Sequence, residues 1–175
     1  MEEYTAEKRL APTELPVTLR PLVYTYMIRY EFESGQQYVA LARGALAGMA
    51  ETVYLNDGHT GETAATVMFD CTLEDYGAEA LVQSFGVPDY PGEHYGRNGT
   101  DGRRYSLNLE VRMVNGKFKT FEFDVTEQVK GQPRGGVIVV SGLSISNDEG
   151  LEGGGSFDVD VDGWGEWVDI PLPID

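Results

Sequence analysis

The chain has 175 residues, 41% hydrophobic and 24% charged, with 13 basic residues against 29 acidic ones and a formal net charge of −16. That size suits one compact domain burying roughly 70% of its unfolded surface, and the composition is that of an ordinary globular protein. The acidity argues against nucleic acid and anionic membrane surfaces as partners, since both are gripped by clustered Lys and Arg.

Residues 1–16 carry charges and the prolines Pro12 and Pro16 without any period, a flexible lead-in to a single domain over 17–175. Met1-Glu2-Glu3-Tyr4 is acidic and polar, unlike a signal peptide, so the expectation is a cytoplasmic protein or a chain lacking its native beginning. Residues 23–32 alternate and are rich in β-branched and aromatic side chains, which predicts a strand. Ser34 and Gly35 make a turn, and 38–42 form a second, short strand. The small-residue run 45–50 reads as one helical turn or a tightly packed crossing segment, with Gly44 and Gly48 opposing a long helix. Strand character resumes over 51–55, and Asn56-Asp57-Gly58 is a turn.

A strand is predicted over 64–73. It holds Cys71, the one cysteine of the chain, so no internal disulfide forms, and the thiol reads as a small core hydrophobe. Another strand covers 80–87, followed by a long polar, Gly-rich loop over 88–102. Residues 105–114 and 117–124 alternate on either side of Asn115-Gly116, which predicts a hairpin with a type I′ turn. The change of parity between Phe118 and Phe121 leaves room for a bulge. Residues 125–129 read as a helical turn with Asp124 as N-cap. A buried strand follows over 136–145, then a glycine-rich loop over 149–155, then closing strands over 157–161 and 167–172. Some eight to nine strands with minimal helix predict an all-β fold, a two-sheet sandwich or a barrel. No apolar run reaches the roughly 18 residues of a spanning helix, so no transmembrane segment is expected.

Candidate chemistry is sparse. Asp158, Asp160 and Asp162, then Gly163 and Asp169, match the D-x-D-x-D-G spacing of a calcium loop, in which alternate oxygens converge and Gly permits the sharp turn. The segment 148–175 carries nine acidic groups and no Lys or Arg. Phe157, Val159 and Val161 alternate with the aspartates, however, as in a half-buried strand. On a strand the carboxylates stand about 6.5–7 Å apart and do not converge on one ion. The strand reading is preferred, with calcium the only cofactor the residues offer.

His59 and His94 lie in polar, loop-like contexts without a second His or Cys at metal-ligand spacing. No nucleophile elbow, zinc-protease helix or phosphate loop is present, so the chain reads as non-catalytic, with carboxylate pairs for glycoside hydrolysis left open. Tyr90, Tyr95 and Trp164 sit in or beside loops. There they stack on sugars or anchor a protein partner, or else cap the ends of the sandwich core. Asn98-Gly99-Thr100 fits a glycan acceptor pattern, one that chance produces often.

Three stretches carry a family likeness. They are Arg9-Leu10-Ala11-Pro12-Thr13-Glu14-Leu15; the run from Tyr38-Val39-Ala40-Leu41-Ala42-Arg43-Gly44 to Ala50; and Phe123-Asp124-Val125-Thr126-Glu127-Gln128-Val129 continuing through 137–145 to Gly155-Ser156-Phe157-Asp158-Val159. On these the chain resembles the second, C-terminal domain of the Bacteroidales fimbrillin-like and fimbrium-anchor lipoproteins and related Bacteroides surface lipoproteins. The resemblance implies a transthyretin-like, Greek-key sandwich at the cell surface or outer membrane, with a fimbria- or pilus-related role in anchoring, assembly or adhesion. It implies fimbrial subunits or an N-terminal sandwich domain as partners, met by strand-edge association, and brings no catalytic residues. The chain departs from the family in showing neither a lipoprotein signal nor the usual first domain, which points to a fragment or a short relative. The alternative is a carbohydrate- or calcium-binding sandwich module.

Overall fold

The period-two runs fold into two facing sheets. A computed structural model of the chain describes residues 19–91 and 102–151. These form β1 (Tyr24–Ser34), β2 (Val39–Ala50), β3 (Ala64–Asp70), β4 (Thr72–Glu74), β5 (Gly77–Ser84), β6 (Ser106–Met113), β7 (Phe118–Asp124) and β8 (Gly136–Ser144), with the short helices α1 (Thr126–Gly131) and α2 (Asn147–Leu151). The front sheet is ordered β4–β5–β1–β8 and the back sheet β3–β2–β6–β7. Neighbours are antiparallel except β1 and β8, which run parallel. The two-sheet β-sandwich with little helix is the architecture expected. No helix among the described residues is long and apolar enough to cross a membrane.

The core lies between the sheets. β1 contributes Tyr26, Ile28 and Tyr30, and β6 contributes Leu107, Leu109, Val111 and Met113, all fully or almost fully buried. Each such aliphatic side chain contributes roughly 1.5–3 kcal/mol. Tyr30 donates its hydroxyl to the Asn108 carbonyl at 3.1 Å, tying β1 to β6 across the interior. Phe32 meets Phe121 edge to face at 5.8 Å, a second tie between the sheets.

Several local expectations change. Residues 45–50 are neither helical nor a crossing segment; they complete β2, an interior strand of the back sheet. Gly48 takes a φ of 94° where the β2–β3 register shifts between Ala47 and Met49, so the inward parity of Leu46 passes to Met49 through a bulge. Gly44 is required by packing, because a Cβ there would run into the Phe69 ring and the Tyr30 hydroxyl. The expected strand over 64–73 divides at Cys71, with β3 in one sheet and β4 in the other. At that corner the Cys71 amide donates to the Ala42 carbonyl at 3.0 Å. Burial pushes the thiol up to about 12, which favours its protonated form. Strand character over 51–55 reduces to an isolated bridge between Val53 and Thr60.

The β6–β7 hairpin stands where expected but closes differently. Gly116 alone is left-handed at its tip, and the Met113 amide bonds to the Lys117 carbonyl. Three residues therefore form the loop, in place of the two of a type I′ turn. Pairing from Ser106–Asp124 to Arg112–Phe118 is unbroken, so no bulge separates Phe118 from Phe121. Phe118 simply faces outward. The N-cap of α1 is Val125, which makes no side-chain capping bond, and not the expected Asp124; Asp124 sits one residue earlier and its carboxylate accepts the Thr126 amide at 2.9 Å.

The start of the predicted 149–155 loop is helical instead. Ser146 and Glu149 form a reciprocal capping box, with the Ser146 amide on the Glu149 carboxylate at 2.9 Å and the Glu149 amide on the Ser146 hydroxyl at 3.2 Å. Lys119 reaches Glu149 at 2.8 Å and pins α2 to the hairpin. The lead-in over 1–16 and the strands expected over 157–161 and 167–172 lie outside the described residues.

Candidate functional site

One end of the sandwich gathers the segment before β1, the β2–β3 loop, the residues after β5 and the turn before β8. Thr60 locks two of these together from a buried position. Its hydroxyl donates to the Val87 carbonyl at 2.7 Å and accepts the Tyr90 amide at 2.8 Å, while its own amide donates to the Tyr90 carbonyl at 3.1 Å. Asp89 holds a left-handed φ of 59° beside this lock and donates its amide to the Gly61 carbonyl at 3.0 Å. Its buried carboxylate faces Arg103 at 3.6 Å. Tyr90 is thereby fixed in place by backbone bonds before any ligand arrives.

The β2–β3 loop turns at the expected Asn56-Asp57-Gly58. Gly58, with a φ of 79°, donates its amide to the Tyr54 carbonyl at 2.8 Å. One Asp57 carboxylate oxygen accepts the His59 amide at 3.2 Å and also engages His59 Nδ1. The His59 ring lies flat on Tyr54, centroids 4.0 Å apart at 11°. Both groups of this His–Asp pair are therefore committed to closing the loop.

Between the two loops opens a cleft of about 710 Å³, lined among others by Arg20, Tyr24, Asp57, Tyr90 and Arg134. The Arg134 guanidinium lies 4.2 Å from the centre of the Tyr90 ring and 5.6 Å from that of Tyr24. It donates to the Pro91 carbonyl at 3.2 Å, which holds its plane in the stack. Tyr24 in turn donates its hydroxyl to the Pro21 carbonyl at 2.9 Å. Flat ring and guanidinium faces stack on planar or sugar-like surfaces, and Arg20, Asn56 and Asp57 add polar groups of both charges at the rim. The arrangement suits a polyhydroxylated or polar peptide ligand held by stacking and hydrogen bonds.

Of the residues singled out in the sequence, Tyr90 lines this cleft and packs against the core, the arrangement its core-capping reading expects. His59 supports the adjoining loop. Asp158, Asp160, Asp162 and Asp169 lie outside the described residues, as do His94, Tyr95, Asn98 and Trp164. Among the described residues no group of three His, Cys, Asp or Glu is placed to hold a metal ion. Tyr24, Tyr54 and Arg134 were not singled out. The available signal for Arg134 was a scarce basic residue in the Pro133-Arg134-Gly135 turn that leads into a strand.

The fold and the cleft together define a two-sheet β-sandwich with a preformed recess at one loop end. No protein-family model matches the chain, and no curated protein does. A candidate adhesin from Bacteroides ovatus, known from a crystal structure, shares the fold with a TM-score of 0.50 at 17% identity over 71% of this chain and 49% of that one. The chain thus spans about half the length of that protein, and at this identity the likeness speaks for the sandwich alone.

Proposed function

We propose that the chain is a non-catalytic cell-surface module that acts in adhesion or assembly, of a fimbria-related kind, and grips a partner at the loop end of its sandwich. The observation that carries this reading is the Tyr24–Arg134–Tyr90 stack, locked by Thr60 and opening on the cleft. A stack held by backbone bonds loses little freedom on binding, which is what a recognition surface needs. The likeness to the Bacteroides ovatus protein and the resemblance to the fimbrium-anchor lipoproteins support a surface setting and, within it, the outer membrane. Fimbrial subunits or a neighbouring sandwich domain are the partners this reading names, gripped at the cleft, with strand-edge pairing as an additional contact. A carbohydrate ligand is the second reading, favoured by the same stack.

The test combines antibody labelling of intact cells with binding of the purified chain to immobilised fimbrial subunits and to a glycan array, for the wild type and Arg134→Ala. The expected result is surface labelling and one class of bound partner, with binding roughly tenfold weaker in Arg134→Ala, the equivalent of one stacked cation lost from a desolvated site. An interior location, or binding indifferent to Arg134, refutes the reading.

A further inference from the structure

An edge strand carries a row of unpaired N–H and C=O groups and pairs readily with other chains unless something guards it. Among the described residues β8 is the outer strand of the front sheet, and from Gly136 to Ser144 it holds neither a charged residue nor a proline, two of the ordinary guards. The outward groups of Val137 and Val139 are nevertheless filled. Gln132 accepts the Val137 amide through Oε1 at 2.7 Å and donates Nε2 to the Val137 carbonyl at 2.8 Å. Gln128 accepts the Val139 amide and donates to the Val139 carbonyl, both at 2.9 Å. Each side-chain amide occupies the position of a peptide group in a neighbouring strand.

The spacing explains the fit. Gln128 and Gln132 are four residues apart, about 6 Å along a helix, while Val137 and Val139 are two apart, about 6.6 Å along a strand. Gln128 meets Val139 and Gln132 meets Val137, so the helical segment runs antiparallel to β8 across the short turn at Pro133–Gly135. Buried Val129 anchors α1 in the core, and the Tyr26 hydroxyl donates to the Gln132 carbonyl at 2.9 Å. A Cβ at Gly136 would run into the Gln132 side chain, so glycine there admits the glutamine.

We propose that Gln128 and Gln132 act as a strand surrogate that closes the β8 edge against pairing with a second copy of this chain. A copy is the partner the bare edge fits, because β8 is uncharged and rich in Val and Ile, the composition of self-pairing segments. The outer face agrees. Val137 and Leu81 both stand opposite Met27, forming a partly exposed apolar row across three strands that a second β8 would extend. The inference is independent of the adhesion reading. Within that reading it directs assembly to other edges.

Sedimentation velocity on the full chain, from micromolar to near-millimolar concentration, tests it. The wild type is expected to stay free of β8-mediated self-association, and Q128A/Q132A to form dimers or larger species. Adding V139P to that variant is expected to restore the monomer, since proline removes an outward donor and is tolerated on an edge. Amide exchange supplies a test that needs no variant to fold: Val137 and Val139 should be protected in the wild type. In Q128A/Q132A at low concentration they should exchange roughly tenfold faster, the loss of one net hydrogen bond, with the intervening Ile138 unchanged. Unprotected Val137 and Val139 amides in the wild type overturn the proposal. So do a folded Q128A/Q132A that remains monomeric, and association that V139P leaves intact.

Discussion

Replacing three buried tyrosines by phenylalanine, one at a time, is expected to move stability in opposite directions. Tyr26, Tyr30 and Tyr105 are all at most 1% exposed. Tyr26 and Tyr30 donate to backbone carbonyls at 2.9 and 3.1 Å. Deleting either hydroxyl removes a buried hydrogen bond and costs about 1–1.5 kcal/mol. The Tyr105 hydroxyl is buried without a hydrogen-bond partner among the described residues. An unpaired buried hydroxyl costs about 1–3 kcal/mol, so Tyr105→Phe removes a penalty and is expected to gain about 1 kcal/mol. In a chain of this length 1 kcal/mol moves the melting temperature by about 2–4 °C. Tyr30→Phe and Tyr105→Phe should therefore differ by about 4–10 °C, on opposite sides of the wild type. Scanning calorimetry, with urea unfolding as a check, reads this directly. A Tyr105→Phe variant that melts as low as Tyr30→Phe would mean that the hydroxyl is satisfied after all, and the reasoning from its isolation would fail.

Gly44→Ala is expected to lose about 1–3 kcal/mol by overpacking against Phe69 and Tyr30, and an unchanged urea midpoint would show that the Phe69 ring can swing clear. The Glu149 carboxyl is held down from 4.5 to about 2, first by the hydrogen bond from Lys119 and then by the Ser146 amide. It therefore adds stability above pH 4.5 that fades as pH falls towards 2; Lys119→Met should flatten that part of the stability profile. At the alkaline end burial raises Tyr26 from 10 to about 12 and Tyr30 further still, so both contribute stability that is complete below pH 10 and is lost as pH rises, through 12 for Tyr26 and beyond that for Tyr30. Calcium added before melting should leave the transition where it is if Asp158, Asp160 and Asp162 line a strand; a rise reversed by a chelator would favour the ion-binding loop instead.

The sandwich was legible because alternation is a local signal, and each run carried it unaided. Leu107, Leu109 and Val111 bury one face of β6 while Asn108 and Glu110 turn away, a pattern fixed by the strand's period. The segment 45–50 was illegible for the opposite reason. Ala, Gly and Met carry no period, and their extended form comes from β3 and β6 pairing on either side. The corner at Cys71 depends likewise on which sheet each flank joins. The Ser146–Glu149 capping box is a short motif that the glycines following it obscure in the sequence. At the cleft, Tyr90 was found as a loop aromatic, whereas Arg134 gains its meaning only once Tyr24 and Tyr90 stand on either side. The glutamine pair required knowledge of which strand lies at the edge, and that is decided by the whole topology.

The parallel alliance of β1 with β8 has a consequence for biosynthesis. Tyr26 faces Gly136, more than a hundred residues downstream, so translation delivers one of the two flanking neighbours of β1 long after β1 itself. Contacts this distant along the chain slow folding. A nascent polypeptide halted before Gly136 would leave the first strand half flanked, and productive closure must wait until the stretch through Ser144 has cleared the ribosome.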